Sequence, residues 1–301
     1  MAAVLGGLGA ALIWSVGTAF ASRAARALGP PVTLAWVMLV GLVALALVLP
    51  WAGDAHLSVT AIVWLVLGGA GNVAGLLILY HALRIGQMGV VMPIVSTEGG
   101  IAAVLSIIAG QPVSTRAATA LAMTVLGVMM TAIARRPSGD DRLAERPPEA
   151  MEGAAAVRTP RGRADRRAAL WAAAGAVSMG ISLFGTGRAG AVLPTAWAVM
   201  PPRVIGVVAI TIPLALRRQL RFPAAATRQL LVAGLCEVGG FFAYAAGARH
   251  GIAVAAVLAT LTGAIGAGFG RLLFGERLAP TQVIGVIVIF AGVATLTAIT
   301  A

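Results

Sequence analysis

Ten apolar runs follow one another along the chain, each about as long as the roughly 20 residues an α-helix needs to cross a hydrocarbon core about 30 Å thick. Short turns carrying Arg, Pro or Gly separate them. Such a pattern leaves one fold class, an all-α membrane protein. Composition agrees, since 59% of the 301 residues are hydrophobic and only 11% are charged, far from the values of water-soluble domains. The runs place spans near 3–22, 32–50, 61–83, 88–109 and 115–134, then near 168–187, 193–216, 229–248, 252–273 and 280–300. The first run has no basic segment before it and no clear cleavage site after it, so it reads as a span rather than a signal peptide.

Between the two sets, residues 135–167 hold nine Arg, six acids and several Pro, a composition that cannot pack a core and reads as a solvated linker. The expected units are therefore a first five-helix repeat over 1–134, the linker over 135–167, and a second repeat over 168–301. Sliding the chain on itself supports duplication. At an offset of 165 Gly75 falls on Gly240, Thr97 on Thr262, Ala102 on Ala267 and Gly127 on Gly292, and the turns ending in Gly86 and Gly251 coincide. A unit with an odd number of crossings ends on the opposite side of the membrane, so two such units are expected as inverted repeats around one central site.

All 22 basic residues are Arg. Without Lys the chain has neither a Walker A phosphate loop nor a Schiff-base cofactor. The formal charge of +12 comes from Arg in loops between apolar spans, where it sets orientation and meets lipid headgroups, and nucleic acid is not an expected partner. Cys236 is the single cysteine, so no internal disulfide or thiolate metal cluster forms. The three His have no metal-ligand spacing, and no nucleophile elbow or intramembrane acid cluster occurs, so neither metal, cofactor nor enzyme is expected.

Two of the ten acids, Glu98 and Glu237, fall in the middle of expected spans. A carboxylate at mid-bilayer costs on the order of 3 kcal/mol, so it faces a bundle interior or aqueous cavity, and loss of water favours the protonated form of a carboxyl. Both are candidate proton-exchanging or substrate-contacting groups, against the simpler reading of a structural ion pair. The offset aligns Glu237 with Asn72, so both halves aim a polar side chain from the third helix at the shared cavity. Arg203, the Arg placed deep inside a span, follows Pro201-Pro202, which interrupts the helix. An interrupted helix and a guanidinium suit a carboxylate, and a counter-ion for Glu237 or Glu98 is the equal alternative. Trp14 and Pro93 complete the candidate cavity residues.

Two motif sets carry a family resemblance: Tyr80-His81-Ala82-Leu83-Arg84-Ile85-Gly86, Val91-Met92-Pro93-Ile94, Gly110 and Gly127 in the first half, and Ala245 to Gly251, Phe274-Gly275-Glu276-Arg277-Leu278, Gly285 and Gly292 in the second. The chain resembles the drug/metabolite transporter superfamily, specifically its EamA-type members. It departs at Gln111, where the family usually has Glu, and the second helix lacks a counterpart of Arg203. The resemblance implies a secondary carrier, often an exporter of amino acids, metabolites or drugs, binding substrate between the repeats. The family's Gly-Glu acid would correspond to Glu276, with a structural role at the membrane edge.

The leading expectation is thus a proton-coupled exporter of small metabolites, amino acids or drugs, multi-pass in the plasma (cell inner) membrane. Its partners would be a small-molecule substrate, membrane lipid and protons, as a monomer or homodimer. The alternatives are an uncoupled facilitator or exchanger of small anionic metabolites, and a non-transporting membrane scaffold. Orientation is read two ways. Alternate loops one to nine carry eighteen Arg against three in the others, which puts the linker in the cytoplasm and both termini outside, whereas the resemblance puts both termini inside.

Overall fold

A computed structural model of the chain describes residues 1–86, 88–133, 161–220, 224–263, and 265, 284, 285, 287, 288, 291, 292 and 295. Regular structure in them is helical throughout: α1 (Ala2–Leu28), α2 (Pro30–Val48), α3 (Val59–Ile85), α4 (Met88–Val95), α5 (Glu98–Ile108), α6 (Thr115–Ile133), α7 (Arg161–Val192), α8 (Thr195–Val199), α9 (Pro201–Gly206), α10 (Ile212–Leu216), α11 (Thr227–Ala248) and α12 (Ile252–Ala259). Gly29, at a φ of 86°, ends α1, and Pro30 starts α2 at once, because glycine accepts the left-handed turn and proline suits the first helical position. Ser58 starts α3 by accepting the Ala61 N–H at 3.1 Å.

Among the described residues six helical stretches are long and apolar enough to cross a bilayer: Ala2–Leu28, Pro30–Trp51, Val59–Ile85, Arg167–Val192, Thr195–Leu216 and Ala224–Ala248. Large apolar side chains such as Leu5, Leu47, Val63 and Leu235 stand exposed along them, as lipid-facing positions must.

Three differences from the sequence reading have local causes. The segment expected as linker up to residue 167 is already helical from Arg161. The span expected as continuous over 88–109 breaks at Ser96-Thr97, where the Thr97 hydroxyl and N–H both bond the Ile94 carbonyl and tighten the turn, leaving Glu98 at the start of α5. The span over 193–216 breaks at Met200 before the proline pair. It then loosens into a π-turn at Val207–Thr211, because Pro213 has no N–H to bond the carbonyl four residues back. The Gly275-Glu276-Arg277 turn lies outside the described residues.

Helix packing repeats itself under the 165-residue shift. The two most extensive contacts are α3 with α7 and α1 with α11, and the shift exchanges one for the other. It also carries the α4–α7 contact onto α12–α1. The match extends to single residues. A side chain on Gly75 would collide with Met179, and one on Gly240 with Trp14, the shifted pair. Likewise Gly71 is covered by Ser182, and Gly17 by Cys236. The α3–α7 seam is also bonded, as Ser178 and Ser182 hydroxyls donate to the Gly71 and Gly68 carbonyls at 2.9 and 2.7 Å. Small residues set these distances, since helices in lipid associate by close packing and hydrogen bonds.

Gly240→Ala should therefore lower stability by about 1–3 kcal/mol by driving a methyl into the Trp14 indole. Gly239→Ala, whose methyl would rest 3.7 Å from Ile13 Cγ2, should be neutral or raise stability by up to about 1 kcal/mol. Heating each variant in detergent and following the monodisperse peak separates the two.

Candidate functional site

Three helices bring the polar residues together. Glu237 lies at mid-α11, Asn72 at mid-α3, and Arg203 on α9 just past the Met200 break. The Asn72 amide donates to Glu237 Oε1 at 3.1 Å, joining two residues 165 apart in sequence. The bond thus links two positions that the 165-residue shift relates, on helices whose packing that shift repeats. Arg203 Nη2 stands 4.0 Å from the same Glu237 oxygen.

Arg203 is fully buried, and Nε, Nη1 and Nη2 all lack a hydrogen-bond acceptor among the described residues. Its ion pair is thus charge without directed bonding. Desolvating such a pair costs several kcal/mol per ion, and good hydrogen-bond geometry is what ordinarily offsets that cost. Packing holds the guanidinium in place. The Phe241 ring lies 5.1 Å from Cζ, and Gly41 on α2 leaves space for the side-chain stem, since a methyl there would sit 3.2 Å from Arg203 Cγ. A stability argument alone does not explain an arginine kept here.

The surroundings are aromatic. Trp14 Nε1 donates to the Glu237 backbone carbonyl at 3.4 Å, and its ring meets Phe241 edge-on at 4.9 Å. Tyr244 sits 6.5 Å from Phe241 and donates its hydroxyl to the Leu183 carbonyl at 2.8 Å. Glu98 opens α5, where the positive end of the helix dipole favours a carboxylate. It is buried, its Oε2 has no hydrogen-bond partner among the described residues, and it lies within electrostatic range of Glu237 and Tyr244.

Of the residues singled out in the sequence, Asn72, Glu237, Arg203 and Trp14 thus meet directly and Glu98 joins them electrostatically. The Pro93 backbone is helical within α4, and its side chain lies outside the described ones. Tyr80, Phe241, Tyr244 and Gly41 belong to the site without having been anticipated. Helical spacing carried the signal for three of them: Phe241 and Tyr244 lie four and seven residues after Glu237, and Tyr80 eight after Asn72. Gly41 had no such mark.

Replacing Glu237 by Leu should destabilise the protein by about 3–5 kcal/mol, because it strands a buried guanidinium. The double variant Arg203→Met with Glu237→Leu should recover most of that loss, read as yield of monodisperse protein and melting temperature in detergent.

No characterised protein matches the chain in sequence. A solved structure titled "Crystal structure of protein" shares the fold with a TM-score of 0.69 at 18% identity, covering 99% of this chain and 96% of its own. The profile of the EamA-like transporter family matches twice, over residues 1–133 and 166–298. The chain is therefore an integral, multi-pass membrane transporter of the drug/metabolite type, and it belongs to the EamA-like transporter family.

Proposed function

We propose that the protein is a proton-coupled exporter of small metabolites, amino acids or drugs, working in the plasma (cell inner) membrane. Its ten helices form two inverted five-helix repeats, 1–134 and 168–301, joined by a charged linker. The observation that carries this reading is the Asn72–Glu237 hydrogen bond between shift-related positions. A protonatable group at the meeting point of two repeats is where a carrier needs one, because a site on the axis can be offered to either side. Glu98 supplies a second acid within range, so a proton can be held at the centre in more than one way.

The orphaned donors of Arg203 favour a second reading, an uncoupled facilitator or exchanger of small anions with both acids structural. Proteoliposomes separate the two. Pooled amino acids, organic acids and cationic drugs are presented under a pH gradient, and luminal pH and solute uptake are followed together. Wild type should move protons with solute, and Glu98→Gln and Glu237→Gln should each reduce proton movement at least about tenfold. Normal proton-linked transport in both Gln variants would overturn the coupled reading, and solute flux without protons in wild type would install the facilitator.

A further inference from the structure

We infer that the solute is a small monoanion bearing a carboxylate, that it docks on Arg203 in place of Glu237, and that the displaced Glu237 takes up one proton. This rests on the carrier reading above and adds the charge of the solute and the direction in which proton and solute move relative to each other.

The donors come first. A guanidinium offers five N–H groups in a planar fork that matches the two oxygens of a carboxylate. Arg203 presents all three nitrogens, buried, with no hydrogen-bond acceptor among the described residues. Glu237 neutralises the charge from 4.0 Å without bonding the fork, and its Oε1 is engaged by Asn72. Phe241 and Gly41 fix the face and stem of the guanidinium and accept nothing from it. A rigid, desolvated fork with its donors unmet is complementary to an anion with two acceptor oxygens.

The charge count then fixes the proton. Arg203 and Glu237 together are neutral, and a bound anion would leave one uncompensated negative charge in a buried site, which is costly. A proton on Glu237 restores neutrality. The neutral carboxyl keeps an oxygen to accept from Asn72 and ceases to compete for the guanidinium. A cationic solute would do the reverse, drawing Glu237 away and stranding Arg203. Among the described residues, the other titratable groups around Glu237 are Tyr80 from α3, Glu98 from α5 and neighbouring Cys236 on α11. From α1 comes Trp14, and α2 sets Gly41 against Arg203; neither titrates. Anion and proton consequently bind together and travel the same way without net charge. Export would run on the anion's own outward gradient.

The test uses purified full-length protein in weakly buffered detergent solution, with benzoate and acetate as probes and benzamide and benzylamine as their neutral and cationic counterparts. Calorimetry reads binding and a pH electrode reads proton uptake. Wild type should bind benzoate with about one proton taken up per anion. Glu237→Gln should bind it more tightly and without proton uptake, since the competing carboxylate is gone. Arg203→Lys, lacking the fork, should weaken binding at least about tenfold. Equal binding of benzamide or benzylamine, binding without proton uptake in wild type, or no binding of either carboxylate at millimolar concentration would each overturn the inference. Should Arg203→Lys fail to fold, wild type against Glu237→Gln decides. Proton-linked flux of only neutral or cationic solutes in proteoliposomes sinks this inference and leaves the carrier reading standing. Proton uptake with benzoate in detergent, without proton-linked flux, does the opposite.

Discussion

Close approach of helix backbones is the constraint on which the rest of the structure depends. Lipid supplies no hydrophobic drive between helices, so the halves are held by contacts that only small residues permit. Gly6 against Gly247, Gly68 against Gly185 and Gly240 beneath Trp14 are such contacts. They draw α1 onto α11 and α7 onto α3, each helix packing on the other half of the chain. The third helices of the two halves consequently face each other, and the side chains at their midpoints meet. The polar centre is a product of glycine placement before it is a product of charge.

Within that centre the forces are unequal. The amide–carboxylate contact is a directed hydrogen bond, whereas the guanidinium is held by packing and by a charge at the edge of ion-pair range. A folded state seeking only stability would replace Arg203 and Glu237 by apolar residues of similar size, often at no cost. The arrangement is better understood as a receptor for charge, kept incomplete by its own geometry.

Much of this was legible in the sequence because two strong periodicities are written there: the length of the apolar runs and the offset of 165. The first gave the helical class, and the second put Asn72 opposite Glu237. What stayed hidden has physical causes. The break at Ser96-Thr97 involves no Pro or Gly at the turn itself, only a threonine hydroxyl bonding backward, which is invisible without coordinates. Gly41 looked like any other small residue in an apolar run until α9 laid a guanidinium across it. Tyr80 read as part of a family motif, and its place beside Glu237 and Arg203 appears only when α3, α9 and α11 converge.

Most positions in a duplicated chain have a counterpart far away and diverge without disturbing it. Asn72 and Glu237 have no such independence, because each is the other's neighbour. Were both acids, two carboxylates would confront each other out of water; were both amides, Arg203 would lack its counter-charge. At this contact the two halves must therefore evolve as a pair, and the unlike residues found there give the core a chemical polarity.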